Sequence, residues 1–471
     1  MNGDLHSGGA VDPTAVANAA AGYADASATG REMWKSRFGF VMAAIGSAVG
    51  LGNMWRFPYI TAEYGGAAFV LFYIVIAFAV GIPVLLAEFT IGRGTRKSSI
   101  SALRAAGGKA WVPLGGLFVL TGFLILAYYS VIAGWVTRYA LTGIFGGFPA
   151  DTGEYFNRIA SGPAAMGFHV FFMAATIAIV MGGVEKGIER ANSVMIPALF
   201  LIVAGLAVWA TTLSGSREGY AFYLAPNVSD LFNMKTLAAA SSQAFFSLSL
   251  GMGAMLTFSS YLSRQANLPR ESVTIALSDF SVAFLAGLVV FPVIFALGLQ
   301  GAVGESTLGA LFISLPGAFN EMGGVGRVVG VLFFVVLFLG AITSAISLLE
   351  VVVAAAMDEW GVSRKKASLV GGALIMLLGL WPAANLNALG ALDAVTNFIF
   401  LPVGGLGMAI LVGWLYKNPL EEVSQGVSER FQPFLKGWLW TLRIIVPILL
   451  VVVIYSGFGA TVDAVKALFG G

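Results

Sequence analysis

Three stretches of this sequence set small polar residues inside otherwise apolar runs. The first is Gly46-Ser47-Ala48-Val49-Gly50-Leu51-Gly52-Asn53, with Arg56 and Pro58 soon after. The second is Ser247-Leu248-Ser249-Leu250-Gly251-Met252-Gly253, and the third is Gly340-Ala341-Ile342-Thr343-Ser344. Glycine weakens a helix by about 1 kcal/mol per residue, so the first two are places where a helix can open. Opened backbone offers carbonyl oxygens, and Ser, Thr, Asn and Asp add more, which suits a hard cation such as sodium. Freed N–H groups at half-helix N-termini favour a carboxylate. Two plainer readings compete: small residues also serve close helix packing, and Thr343 and Ser344 can bond their own helix backbone.

Bond-making chemistry has little to work with. The chain has no cysteine, which removes disulfides and thiol catalysis. Its two histidines, His6 and His169, cannot complete a zinc cluster. No nucleophile–base pair suggests an enzyme. The net charge of +2 argues against a nucleic-acid partner.

The elements that must position these residues are membrane spans. Of 471 residues, 58% are hydrophobic and 11% charged, against about 25% charged in soluble domains; mean hydropathy is +0.87. A chain this apolar needs the lipid bilayer as its solvent. Residues 1–30 are rich in Ala, Gly, Ser and Asp and read as a disordered cytoplasmic tail, not a secretory signal. Spans long enough for ~30 Å of hydrocarbon are expected at 38–60, 66–91, 112–145, 166–182, 190–213, 236–262, 271–300, 327–357, 367–382, 392–415 and 438–458. The interrupted segment 301–324 is expected to be an external loop with short helices.

Basic residues cluster in alternate connections. They include Arg93, Arg96, Lys97, Arg104 and Lys109, then Lys186 and Arg190, then Arg364, Lys365 and Lys366, while 146–165 and 214–235 hold few. The positive-inside rule then puts the N-terminus in the cytoplasm. The two glycine-broken spans are the first and the sixth, so they head two five-span halves. Breaks at matching places point to a midplane binding site in an inverted-repeat transporter.

Several longer motifs resemble one family. Arg31-Glu32-Met33-Trp34 followed by Gly46 through Tyr59, Gly182-Gly183-Val184-Glu185-Lys186-Gly187-Ile188-Glu189, and Ser242-Gln243-Ala244-Phe245-Phe246 running into Ser247–Gly253 are similar to the neurotransmitter:sodium symporters. The resemblance covers about residues 31–460 and lies with the prokaryotic, eleven-helix amino-acid transporters. One departure is Tyr64-Gly65-Gly66-Ala67-Ala68-Phe69, where the family usually has Asn-Gly-Gly-Gly-Ala-Phe.

The resemblance implies an all-α inverted-repeat bundle of the leucine-transporter type, with helices 1 and 6 unwound at the midplane. Residues 31–215 and 216–418 would be the two repeats, and 419–471 a loop with helix 11. It also implies two sodium sites. The first would use Ala48, Asn53, Ser247 and Asp279 with the substrate carboxylate. The second would use Gly46, Val49 and Gly340 carbonyls with Thr343 and Ser344 hydroxyls. Substrate would meet Ala48, Gly50, Leu51, Gly52 and Tyr129 at its carboxylate, and Phe246, Ser247 and Ser249 at its ammonium. Its side chain would lie among Ile125, Phe246, Met252, Ser347 and Leu348. Gly50 stands where transporters of decarboxylated amines carry an aspartate, so the substrate brings its own carboxylate. A bulky hydrophobic or aromatic L-amino acid fits an apolar pocket with a deformable methionine. Taken alone, each of these apolar residues is more often plain core than pocket lining.

Arg56 and Asp393 would close the external side over Phe246. Arg31 and Asp358, with Trp34 and Tyr261 nearby, would close the cytoplasmic side. Arg31 as a surface anchor and Asp358 as a helix-end charge are the plainer alternatives. Gly187 and Pro197 match a pattern that lets the fifth span unwind toward the second sodium site; a static proline kink reads as well. Glu88 is a carboxylate in an apolar span with no role assigned. Asp279 stands where the family usually has asparagine, and Ala283, one turn on, where chloride-dependent relatives have serine. Chloride-independent transport follows, with a protonated Asp279, or Ser278 as the ligand, as alternatives.

The sequence therefore points to a sodium-coupled importer in the prokaryotic inner membrane, with no organic cofactor. A membrane-embedded amino-acid sensor is the alternative from another class. Proton coupling is disfavoured by the lack of a histidine relay. A homo-oligomer is left open.

Overall fold

In a membrane every backbone polar group needs an internal partner, so a chain this apolar is confined to helices or closed barrels. The computed structural model describes residues 32–226, 234–299 and 307–470, and among these every regular element is helical. The expected tail 1–30, and Arg31 with it, lie outside the described residues, as does 301–306 of the expected loop.

Helices α1 (Arg37–Ala48) and α2 (Gly52–Glu63) form one span bent by 48°. Then come α3 (Ala67–Thr95), α4 (Ser99–Gly107), α5 (Lys109–Phe145), α6 (Thr152–Ile159), α7 (Pro163–Met181), α8 (Val184–Ala210) and α9 (Ser216–Leu224). The second half holds α10 (Met234–Ser247), α11 (Ala254–Ser259), α12 (Leu268–Ala296), α13 (Leu315–Glu321), α14 (Gly323–Trp360), α15 (Arg364–Ala384), α16 (Leu386–Leu415), α17 (Pro419–Ser424) and α18 (Glu429–Leu468). Among the described residues nine helices are long and apolar enough to cross a membrane, and the bent pair makes ten. At the sixth expected span lie α10 and α11, each too short to cross alone, separated by residues 248–253.

Local sequence explains many of the ends. Ser36, Asp151 and Asn267 cap α1, α6 and α12, accepting from Gly39 N, Glu154 N and Arg270 N. Gly361, in the left-handed region, stops α14. Several helices run past the expected span limits. Those limits follow the apolar window, whereas capped polar turns carry a helix beyond the hydrocarbon.

Small residues set the packing. The α-carbon of Gly134 on α5 lies against α7, where an added Cβ would come within 2.9 Å of the Phe168 and His169 backbone. His169 ties three helices together: Nδ1 lies 2.9 Å from Ser130 Oγ on α5, and Nε2 lies 2.8 Å from Met376 O on α15.

The first break is short. Val49 and Gly50 leave the helix, and the chain resumes as a widened π turn over Gly52–Arg56, so Gly52 is already helical. The second break is longer. Ser249, Gly251 and Gly253 all have positive φ, at 54°, 75° and 76°. Gly251 is required there twice over, because an added Cβ would also come within 2.2 Å of Leu401 O on α16. Ser249 adopts the left-handed region without being glycine, and its hydroxyl is anchored on Ser47 O at 2.8 Å. The expected loosening of the fifth span takes another form. Val184–Glu189 is a widened π turn continuous with the rest of α8, and Pro197 sits within the helix.

Glu88 receives its role here. The fully buried carboxylate accepts from Gly251 N at 2.8 Å and from Leu256 N at 3.2 Å. These are amides that a continuous helix would have paired. Leaving a buried donor unpaired costs roughly 1–3 kcal/mol. Glu88→Ala should therefore lower stability by about 2 kcal/mol or more, measured by thermal unfolding in detergent. Glu88→Gln, which keeps one acceptor, should lose less; equal losses would mean that the amides are not what Glu88 serves.

Candidate functional site

The two breaks face each other, and three groups of residues gather around them. The first surrounds Asp279 on α12. Its side chain, 1% exposed, accepts from Asn53 Nδ2 at 2.6 Å, from Ser247 Oγ at 2.8 Å and from Tyr73 OH at 2.9 Å. Asn53 Nδ2 also reaches Asp279 O and Ser247 Oγ, each at 3.1 Å, while Asn53 Oδ1 accepts from Gly50 N. No ion pair involves Asp279 among the described residues. Ala283, one turn along α12, is buried and adds no hydroxyl.

The second group surrounds Ser344 on α14. Its hydroxyl lies 3.3 Å from Gly46 O, 3.3 Å from Ser47 O and 3.4 Å from Val49 O. One hydroxyl has one proton, so Gly46 O and Val49 O share a single long donor, while Ser47 O also accepts from Ser249 Oγ at 2.8 Å. Thr343 lies beside Gly46 but gives its hydroxyl to Leu339 O at 3.0 Å and Gly340 O at 3.1 Å, bonding its own helix. Asn192 on α8 borders the same place. It donates to Ile188 O, and its buried Oδ1 has no hydrogen-bond partner.

Between the groups lies a cavity of about 20 Å³. Of the residues expected to meet substrate, Ala48, Gly50, Gly52, Ile125, Tyr129, Phe246, Ser247, Ser249, Met252 and Leu348 line it, together with Ser47 and Ser344. Leu51 instead lines the next cavity, though its N–H donates to Tyr129 OH at 3.3 Å. Ser347 is not in the lining: its hydroxyl accepts from Ser47 Oγ and donates to Ser344 O, both at 2.8 Å, tying α14 to α1.

Beyond Phe246 a vestibule of about 200 Å³ opens, with Arg56 and Asp393 both in its wall. They form no ion pair in this conformation. Arg56 donates to Gln243 Oε1 at 3.1 Å and lies 5.2 Å over the Phe246 ring, while Asp393 Oδ1 accepts from Asn397 Nδ2 at 2.8 Å. Phe246 and Tyr129 line both cavities and so form the partition.

The opposite side is closed. Trp34 donates from Nε1 to Phe258 O at 2.8 Å and packs against Phe40, Phe258 and Tyr261. Tyr261 OH donates to Glu350 Oε1 at 2.6 Å, and Arg364 donates to Glu350 at 2.6 and 2.9 Å and to Glu32 at 3.0 Å. Asp358 accepts from Ser98 N at 2.6 Å; its expected partner Arg31 lies outside the described residues.

Sequence reasoning missed Tyr73, Gln243 as the partner of Arg56, Asn192, and the Glu32–Glu350–Arg364 cluster. A lone hydroxyl in an apolar span gave no signal for Tyr73. Glu350, a carboxylate near the end of an apolar span with Arg364 fourteen residues on, could have been noticed.

Broken helices that carry a polar site at the centre of an all-helical membrane bundle define a secondary transporter. The chain matches the sodium:neurotransmitter symporter family over residues 31–158 and 159–465. It is 35% identical to an uncharacterized sodium-dependent transporter of Methanocaldococcus jannaschii, over 91% of this chain and 92% of that one. It is 35% identical to an uncharacterized sodium-dependent transporter of Bacillus subtilis, over 90% and 97%. The crystal structure of MhsT in complex with L-phenylalanine superposes with a TM-score of 0.83 at 41% identity, covering 91% of this chain and all of that one. The chain belongs to the sodium:neurotransmitter symporter family and is a sodium-dependent symporter.

A Cβ on Gly46 would lie 2.1 Å from Asn192 Oδ1 and 3.1 Å from Thr343 Cβ. Gly46→Ala should therefore destabilise by about 1–3 kcal/mol, as overpacking does. Adding Asn192→Ala should recover part of that loss. Additive losses in a double-mutant cycle of thermal unfolding would show the two side chains to be independent.

Proposed function

We propose that this symporter imports a bulky hydrophobic or aromatic L-amino acid with sodium, by alternating access, and needs no chloride. The observation that carries this reading is Asp279, a buried carboxylate with no basic partner, set beside Asn53, Ser247 and the first helix break. A carboxylate so placed is costly unless a cation joins it, and sodium with Asn53, Ser247, Ala48 O and the substrate carboxylate would satisfy it. Turning the Asn53 amide over would present its oxygen. Asp279 then supplies the fixed negative charge that a chloride ion would otherwise have to bring.

A second sodium would replace the Ser344 proton among the Gly46, Val49 and Gly340 carbonyls, with Thr343 and Ser344 as hydroxyl ligands. The substrate carboxylate would lie against Gly50, Leu51, Gly52 and Tyr129, whose hydroxyl accepts from Leu51 N and keeps its own proton to donate. Ile125, Phe246, Met252 and Leu348 make the side-chain end apolar, and the solved relative MhsT was crystallised with L-phenylalanine. A side chain of that size enters by displacing Phe246 and Met252, since about 20 Å³ suffices for roughly one water. The N-terminus would face the cytoplasm of a prokaryotic cell, with the vestibule outside. The gates would be Arg56, Asp393 and Phe246 above, and Arg31, Asp358, Trp34 and Tyr261 below.

In proteoliposomes an inward sodium gradient should drive uptake of phenylalanine, leucine or tryptophan and generate current. Each charge crossing 100 mV contributes about 2.3 kcal/mol. Thr343→Ala with Ser344→Ala should raise the sodium needed for half-maximal uptake about tenfold or more, a loss of about 1.4 kcal/mol. Unchanged sodium dependence in that double variant would remove the second site. Binding without accumulation would make the protein a sensor.

Uptake should also be equal in chloride and gluconate. Asp279→Asn with Ala283→Ser should slow uptake in gluconate and recover with chloride. A wild type that stops when chloride is withdrawn would overturn the charge-replacement reading.

A further inference from the structure

Away from the substrate path, a cavity of about 520 Å³ opens where α5, α6 and α7 meet, at the vestibule end of the bundle. Arg138 of α5 and Arg158 of α6 line it, with Pro163, Gly167, Phe168 and Phe171 of α7. Both arginines are exposed, yet both are held in place. Arg138 donates from Nε to Tyr155 OH at 2.9 Å and lies 5.3 Å over the Phe168 ring; Arg158 lies 5.6 Å over the ring of the same tyrosine. Tyr155 is buried, fixed by Thr142 Oγ1 at 2.8 Å and by an edge contact with Tyr139.

Neither guanidinium has a carboxylate partner among the described residues, although Asp151 and Glu154 share α6 with Arg158. The terminal nitrogens of Arg138, and all of those of Arg158, are left without a hydrogen bond. The third wall is the start of α7, a 19-residue helix whose N-cap is Gly162; Pro163 has no N–H, and no side chain caps the amides of Ala164 and Ala165 that follow it. Those orphan N–H groups carry the positive end of the helix dipole. Two unpaired cations and an uncapped helix start thus face one space. That space opens toward lipid: Phe171 is 56% exposed, and Leu141 and Phe145, on the Arg138 side of α5, are exposed as well.

We propose that this cavity binds an anionic phospholipid of the vestibule-side leaflet. The phosphate would sit between Arg138, Arg158 and the α7 amides, with an acyl chain over Phe168 and Phe171. Charge complementarity selects an anion, and the exposed aromatic floor selects one with a hydrocarbon tail. Guanidinium pairs suit phosphate oxygens because the fork donates two parallel hydrogen bonds.

The test is native mass spectrometry of the full chain in detergent, titrated with phosphatidylglycerol and with phosphatidylcholine of the same acyl chains. The wild type should retain phosphatidylglycerol about tenfold more tightly, as expected for two arginines near a membrane surface. Arg138→Gln with Arg158→Gln should bring the two lipids to parity. Arg158→Gln alone, at a side chain that makes no hydrogen bond, should reduce the preference with an unchanged melting temperature. Arg217→Gln on α9, an exposed arginine away from the cavity, should leave it intact. A wild type with no preference, or a preference that survives in both cavity variants, overturns the proposal. So does an Arg217→Gln variant that loses the preference equally. Inorganic phosphate that displaces phosphatidylglycerol at equal concentration would make this a free-anion site and overturn the lipid assignment.

Discussion

A helix broken inside a membrane must find other partners for the backbone groups it releases, and the centre of this bundle is organised around that demand. The amides released by the second break go to Glu88. Those of the first go to Asn53 Oδ1 and the Tyr129 hydroxyl, and Gly52 O takes Gln243 Nε2. Those four donors are matched. Two carbonyls are less well served, because Gly46 O and Val49 O converge on one Ser344 hydroxyl at 3.3 and 3.4 Å, whereas Ser47 O also takes Ser249 Oγ at 2.8 Å. A region rich in oxygen and poor in protons attracts a cation, and Asp279 adds a full negative charge on the other side of the same break. The site is thus a consequence of where the satisfaction of the backbone stops.

The same breaks divide the molecule mechanically. The half of the first span before the break, α1, is fastened to α14 through Ser47 and Ser347 and leads back to Trp34 in the closed side. The half after it, α2, carries Arg56 into the vestibule wall. Meanwhile α5, α7 and α15 are locked to each other by His169 and by the close approach at Gly134. Arg56 and Asp393 line an open vestibule without pairing, whereas Trp34, Tyr261, Glu350 and Arg364 close the other end, so the two ends are unequal in this conformation.

What the sequence made legible follows from which interactions are local. Glycine spacing marked both breaks, because helix weakening is a property of a few adjacent residues. It overstated the first, since a π turn takes Gly52 back into helix. The place of Asp279 came from family resemblance, whereas the adjacent hydroxyls of Thr343 and Ser344 stood out inside an apolar run. Glu88 stood out as a charge in an apolar span, but its partners lie more than 160 residues away. Tyr73 could not be read at all, being 206 residues from the carboxylate it serves. Thr343 follows the plain reading in that it bonds its own helix, and it lies beside Gly46. Helix lengths were underestimated wherever polar caps extend a span.

The closed side shows how such a bundle can hold one state firmly without being trapped in it. Glu350 is fully buried and is satisfied by Arg364 and Tyr261, while Glu32 takes a further Arg364 bond from a half-exposed position. Removing one member of a buried ion pair costs roughly 3–5 kcal/mol, because the other is left in low dielectric. Separating the whole cluster is different. If α1 swings away and water enters, every charge regains hydration at once, so the closed pairing and the open hydration nearly balance. Apolar packing of the same area would lose its burial on opening and gain nothing in return. Charges at the closure therefore keep two conformations close in energy, and any ligand that binds one of them better than the other shifts the balance between them.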